Sequence, residues 1–295
     1  MRLISSEGDA LTLPAGHRFP IGKYLRVTEI LRREHPDLLQ DAPRASWEDL
    51  GLVHDAAYLA AVRAGALDPA AVRRLGFPWS EALVSRSRRS TGGTLAALAW
   101  AFAHGAAGHM AGGTHHAFRD RGEGFCVFND LAAAIAVARR DHGVHRVAVI
   151  DLDVHQGNGT AAIFAGDPDV FTLSLHGARN YPFRKESGSL DVGLPDGCDD
   201  GQYLGALDKA LEEVPARRPE LILYQAGVDG LAGDRLGRLS LTHAGLRRRD
   251  ARVFALARRL GVPIVVTLGG GYGREIEATI EAHVSVYRSL VAAMR

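Results

Sequence analysis

Residues 147–160 read VAVIDLDVHQGNGT, an apolar run that ends in Asp151, Asp153 and His155 with Leu152 and Val154 between them. Charged groups buried without partners are costly, so a cation is expected to balance them. Side chains two apart on a strand project from the same face, which lets Asp153 and His155 converge on one ion. A third ligand is available in Asp229, just beyond the apolar run LILYQAG at 221–227. Three such ligands with one position left open for water is the form of a catalytic zinc site. Taken singly, each residue is better explained as a loop or cap carboxylate or a satisfied core histidine. Three together at the ends of very apolar strands favour a metal.

Other reactive groups fall in comparable places. The segment GGTHHA sets His115 and His116 side by side. Adjacent histidines can simply line a loop, but a neutral imidazole beside an activated water is also a suitable general base. Asp151 and Asn158 are placed to fix the tautomer of such a base. The run LGGGYG at 268–273 is not a dinucleotide loop, because Arg274 stands where the last glycine of a GxGxxG starting at Gly269 would be. What remains is a permissive turn presenting Tyr272, either an ordinary half-buried tyrosine or a phenol that donates to a developing oxyanion.

These residues need a scaffold. Strands are expected at 146–152, 170–175, 221–227 and 262–270, all nearly continuously apolar, as in a parallel sheet covered on both faces. Helical patterns occupy 23–35, 46–64, 91–107, 130–142, 202–213, 242–260 and 274–294. The alternation argues an α/β fold, whose ligands bind beyond the carboxyl ends of the strands, where the polar residues above fall.

The 295 residues are 46% hydrophobic and 23% charged with a formal net charge of +1, so no global field recruits nucleic acid or membrane. The basic runs at 86–89 and 247–249 read as solvated helix faces. Two cysteines, Cys126 and Cys198, are too few for a disulfide framework or a thiolate metal site. The N-terminal segment lacks the apolar core of a signal peptide, and the apolar stretch around His104 and His109 is too weak to span a bilayer; a cytoplasmic protein is expected.

Taken in order, RFPIGKYLRV (18–27), VHDAAYL (53–59), GGTHHAFRDRGEGFCVFND (112–130), DLDVHQGNGT (151–160), TLSLH (172–176), AGVDGLAGDRLGRLSLT (226–242) and GGGY (269–272) resemble one family. It is the zinc-dependent histone deacetylases and their bacterial relatives, within the arginase/deacetylase superfamily. RFPIGKY, NYPF at 180–183 and GDRLGRLS look most like its class IV branch. The resemblance implies one α/β domain over 1–295, an eight-stranded parallel sheet flanked by helices on both faces. It implies zinc (or ferrous iron) on Asp153, His155 and Asp229. It also implies a structural potassium or sodium ion held by the side chains of Asp151 and Ser174 and the carbonyls of Asp153, His155 and Leu175. His116 would be the general base with Asn158 behind it, His115 would pair with Asp151, and Tyr272 would polarise the carbonyl. Gly124, Phe125, Tyr181 and Gly270 would wall the substrate channel.

The implied reaction removes an acetyl or longer acyl group from the ε-amine of lysine in a peptide or protein. Rivals are a deacetylase of small acylated amines such as acetylpolyamines, a non-catalytic acyl-lysine binding module, and a two-manganese hydrolase, which would need more carboxylates near Asp153. Two departures stand out. Many relatives carry a second Asp where this chain has Asn158, and peptide-directed relatives often carry a rim Asp where RRLGFPWSE (73–81) has Gly76 and no acid before Glu81. Oligomeric state is left open.

Overall fold

The densest apolar runs form the middle of the sheet. In the computed structural model, which describes residues 1–8 and 11–294, the strands are β1 (Arg2–Ser5), β2 (Leu39–Asp41), β3 (Ala106–His109), β4 (Val147–Asp151), β5 (Val170–Gly177), β6 (Leu190–Leu194), β7 (Leu221–Gln225) and β8 (Ile264–Thr267). They make one parallel sheet of eight strands in the order β2-β1-β3-β8-β7-β4-β5-β6. The helices are α1 (Gly22–Glu34), α2 (Trp47–Gly51), α3 (Ala56–Ala64), α4 (Pro69–Leu75), α5 (Glu81–His104), α6 (Asp130–His142), α7 (Asn158–Ile163), α8 (Asp200–Leu211), α9 (His243–Leu260) and α10 (Ile276–Ala293).

Successive residues of a strand face opposite sides, and both sides are apolar. On β4, Ala148 and Ile150 join one core with Leu31 of α1, Leu207 of α8, Phe254 of α9 and Tyr287 of α10. Val147 and Val149 join a second core with Leu98 of α5 and Ile135 of α6. This two-sided burial explains why these strands read as continuous apolar runs. No helix among the described residues is long and apolar enough to cross a membrane.

Four strands, β1, β2, β3 and β6, lie outside the expected apolar runs. β3 is Ala-Ala-Gly-His and carries no β-branched residue; its pairing with β1 and β8 on either side makes it a strand. The single helix expected over 46–64 is two, because the chain turns at 52–55, where His54 Nδ1 meets the Phe118 carbonyl at 2.9 Å. α5 begins ten residues before the expected 91, capped by Ser80, whose hydroxyl accepts from Leu83 N at 3.1 Å. α4 and α7 are short and lack a periodic signal.

The site depends on how the strand ends align. Asp151 is in register with Ser174 of β5 and Gln225 of β7, and Gln225 with Thr267 of β8. The loops that leave these ends side by side carry Asp153, His155, Asp229 and Tyr272.

Candidate active site

Asp153, His155 and Asp229 come together at the carboxyl edge of the sheet, each offering a ligand atom within 4.8 Å of the others, and all three are buried. His155 Nδ1 lies 3.0 Å from Asp153 Oδ1 and 3.1 Å from Asp229 Oδ2. Burial disfavours the charged imidazole, but the two carboxylates outweigh it and hold the His155 pKa up at about 10. Burial and the neighbouring Asp153 push Asp229 up to about 7. Two carboxylates buried against one imidazole need positive charge among them, which a proton on His155 or a bound cation can supply. One nitrogen and two carboxylate oxygens are the donors a metal such as zinc accepts.

The backbone around these groups aims them. Gly270 N donates to Asp153 Oδ2 at 2.7 Å, and Val154 N to Asp229 Oδ1 at 2.9 Å. A Cβ on Gly270 would lie 1.9 Å from Asp229 Oδ2, and one on Gly227 would lie 2.2 Å from Asp153 Oδ2. Glycine is required at both positions to let the loops close on the acids. Behind them Arg249 of α9 is wholly buried and donates to the carbonyls of Gly227 at 2.5 Å and Leu152 at 3.4 Å, tying the two ligand loops together. The reading of 247–249 as a solvated face is therefore corrected at Arg249, where inward-pointing carbonyls and Asp250, in salt-bridge contact at 2.8 Å, replace water. The run 86–89 is only half-exposed: Arg88 donates to the Ala45 carbonyl and Arg89 to the Ala42 carbonyl.

The paired histidines face the same cavity. His115 Nδ1 lies 2.6 Å from Asp151 Oδ2 and His116 Nδ1 lies 2.7 Å from Asn158 Oδ1. Burial pulls His115 down, yet the Asp151 carboxylate prevails and sets its pKa at about 9. His116 goes the other way: burial, then the charges of His115 and His155, hold it well below the usual histidine value. It is therefore neutral, with Nδ1 turned to Asn158 and Nε2 left over. The loop bearing both is held from two sides, as Asp130 accepts from Thr114 N at 2.7 Å and Gln225 Nε2 donates to the Gly113 carbonyl at 2.8 Å.

A cleft of about 50 Å³, room for a few waters, is lined among others by His115, His116, Gly124, Phe125, Gly270 and Tyr272. Tyr181 is not part of that lining, but its ring stands 5.0 Å from His116 and 6.4 Å from His155. The Tyr272 ring lies 6.4 Å from that of His155, and Asp234 anchors its backbone by accepting from Tyr272 N at 2.6 Å. Phe125 is in the left-handed region with φ 67°, a strain of about 1–3 kcal/mol tolerated because its ring packs against Phe19, Phe77 and Tyr272. At Gly76, φ is +81° and a Cβ would lie 2.9 Å from the Phe125 ring, so a side chain there would be strained and would crowd Phe125. Asp151 and Ser174, expected to hold a monovalent ion, are in register, with Ser174 Oγ 2.9 Å from His176 Nδ1.

Three residues near the site carry no signal of their part in it in the sequence alone. Lys23 is fully buried and donates to the Gly269 and Gly271 carbonyls at 3.2 Å each, holding the loop that presents Tyr272. Burial lowers its pKa to about 8 against the pull of Asp229 and Asp153. Glu123 accepts from Asn158 Nδ2 at 2.9 Å and from the Tyr181 hydroxyl. Arg249 is the third. Their motifs were visible, but Lys, Glu and Arg read as surface residues until packing buries them.

A parallel α/β sheet whose carboxyl edge carries two carboxylates, an imidazole and a histidine pair defines a metal-compatible hydrolase site. The chain belongs to the histone deacetylase family: the family's histone deacetylase domain matches residues 17–287. It is 33% identical over 273 residues to histone deacetylase 2 of Arabidopsis thaliana, covering 87% of this chain and 70% of that protein. It is 41% identical over 283 residues to an uncharacterized protein of Picosynechococcus sp., covering 94% of each. A solved HDAC homolog from Aquifex aeolicus superposes with a TM-score of 0.84 at 28% identity, over 99% of this chain and 84% of that one.

Proposed function

We propose that this protein is a zinc-dependent amidohydrolase that removes an acyl group from the ε-amine of lysine. The observation that carries the reading is the convergence on one cleft of Asp153, His155, a neutral His116 and the Tyr272 phenol, with Asp229 buried against Asp153 and His155 behind it. Asp153, His155 and Asp229 would hold the zinc, with ferrous iron the alternative occupant. When bound, the metal supplies Lewis-acid polarisation of the acyl carbonyl and of water. His116, with its Nδ1 proton committed to Asn158, takes a proton from the attacking water on Nε2. It returns that proton to the lysine nitrogen as the C–N bond breaks, leaving a carboxylic acid and a free amine. Tyr272 donates to the carbonyl oxygen as negative charge grows there. His115, cationic beside Asp151, adds positive charge next to the reacting centre. A monovalent cation at Asp151, Ser174 and the carbonyls of Asp153, His155 and Leu175 would complete the neutralisation of the β4 terminus.

The loss of a rim acid at Gly76 favours small acylated amines over peptides. Against a polycation stand the exposed side chains beside the channel walls: Phe183 and Arg184 follow Tyr181, and Arg235 donates to the Tyr272 carbonyl at 3.0 Å. The positive charge of Arg184 and Arg235 disfavours a polycationic acetylpolyamine, so acyl-lysine is preferred. The test is hydrolysis of acyl-lysine peptides and of acetylpolyamines by zinc- and iron-loaded protein. Preferred turnover of acyl-lysine supports the reading; preference for the polyamines, or no turnover of either, overturns it.

A further inference from the structure

Glu123 bridges two parts of the site, Asn158 behind His116 and the channel-side Tyr181. Its Oε1 accepts from Asn158 Nδ2 at 2.9 Å and from the Tyr181 hydroxyl, and its Oε2 lies 3.7 Å from Arg121 Nε. The Glu123 side chain is 12% exposed, so these contacts are largely shielded from water. A tight turn places it: Glu123 N donates to the Cys126 carbonyl at 3.0 Å and Cys126 N returns the bond at 2.9 Å, with Gly124 and Phe125 both left-handed between them. One turn therefore aims Phe125 at the channel and Glu123 at Asn158.

Hydrogen-bond chemistry gives this contact a direction. The two ends of an asparagine amide differ only in donor and acceptor character, so what faces each end decides which way the amide points. A carboxylate accepts and does not donate, which turns Asn158 Nδ2 towards Glu123 and Oδ1 towards His116. Oδ1 in turn accepts only from a protonated Nδ1, and His116 is left with a lone pair on Nε2.

We infer that Glu123 is a positioning residue for the acyl-amine hydrolysis proposed above: through Asn158 it selects the tautomer of His116 and completes a His116–Asn158–Glu123 relay. The Tyr181 hydroxyl on the same oxygen ties the channel wall to that relay.

The test is a cycle of variants on the metal-loaded protein, with kcat and KM measured on one acyl-lysine peptide and metal content checked. Glu123→Leu removes the acceptor and should lower kcat about 10–100-fold with KM changed far less. Asn158→Asp in that background gives His116 a direct carboxylate and should recover most of the loss. The same Asn158→Asp change in the wild type sets two carboxylates against each other and should lower kcat, so its sign depends on residue 123. A residue that merely braced Tyr181 would show neither the rescue nor the reversal. Nitrogen NMR of the His116 ring gives a readout apart from turnover: a single Nδ1–H tautomer in the wild type and a mixture in Glu123→Leu, which offers Asn158 no acceptor. Glu123→Leu with more than half of wild-type kcat, no rescue by Asn158→Asp, or an unchanged tautomer in Glu123→Leu overturns the inference. Failure of the wild type itself to hydrolyse any acyl-amine when metal-loaded overturns instead the function on which it rests.

Discussion

Replacing Arg249 by Met should be among the most damaging single changes away from the cleft surface. The guanidinium is wholly buried, pairs with Asp250 at 2.8 Å, and donates to the carbonyls of Gly227, Leu152 and Ala226. Met matches the length of the stem but leaves Asp250 as a buried charge with only Tyr224 donating to it, at 2.5 Å. Removing one partner of a buried pair costs about 3–5 kcal/mol, and each orphaned carbonyl adds about 1–3 kcal/mol where it cannot reach water. We expect a loss of about 6 kcal/mol or more, taking the lower figure for the pair and for each of the three carbonyls, which is a large share of the roughly 5–15 kcal/mol by which folded domains are stable. The ligand loops at 151–155 and 226–229 should loosen with it, so metal affinity should fall as well. Urea unfolding monitored by circular dichroism gives the first quantity and calorimetric zinc titration the second. Arg249→Met combined with Asp250→Asn removes the stranded charge while keeping an acceptor for Tyr224, and should recover part of the stability. A single variant within about 1 kcal/mol of wild type would refute the role of Arg249, since that is the size of an ordinary surface substitution.

Tyr272→Phe keeps the ring that packs on Phe125 and removes the hydroxyl, so kcat should fall about 10²–10³-fold, or roughly 3–4 kcal/mol of barrier, with metal content unchanged; steady-state kinetics on one acyl-lysine peptide decide it, and a variant above half of wild-type kcat removes the phenol from the mechanism. His54 supplies a pH dependence: it is buried, its Nδ1 lies 2.9 Å from the Phe118 carbonyl and its Nε2 accepts from Asn129 N at 3.0 Å, and burial lowers its pKa from 6.5 to about 4. The unfolded chain takes up a proton near pH 6.5 that the folded chain refuses, so stability is full above that pH and falls by about 1.4 kcal/mol per unit between 6.5 and 4. His109 and His176, also lowered to about 4, add to the wild-type slope, so the quantity to measure is the difference in slope between wild type and His54→Gln. Equal slopes would show that His54 does not contribute.

The central strands were legible because burial on both faces leaves a continuous apolar signal, which β4, β5, β7 and β8 all carry. β1, β2 and β3, of three or four residues each, owe their conformation to neighbours distant in sequence, and no local pattern announces that. The site divides in the same way. Asp153, His155 and Asp229 could be picked out because carboxylates and imidazoles are out of place at the ends of apolar strands. Lys23, Glu123 and Arg249 could not, since their burial is created by α1, the 123–126 turn and α9 packing against loops more than twenty residues away. Gly76 was noticed only as a missing acid; the Phe125 ring that a side chain there would crowd is a tertiary fact.

The most direct test of the account is whether amide hydrolysis follows metal at the Asp153–His155–Asp229 cluster. The protein is stripped with chelator, checked by elemental analysis, and titrated with zinc while release of free amine from an acyl-lysine peptide is followed. Because the α/β core does not depend on the cluster, the stripped protein should stay folded and inactive. Activity should return in proportion to zinc and saturate at one ion per catalytic site, with Asp229→Ala unable to recover. Full hydrolysis by verified metal-free protein, or full recovery by Asp229→Ala, would contradict the account.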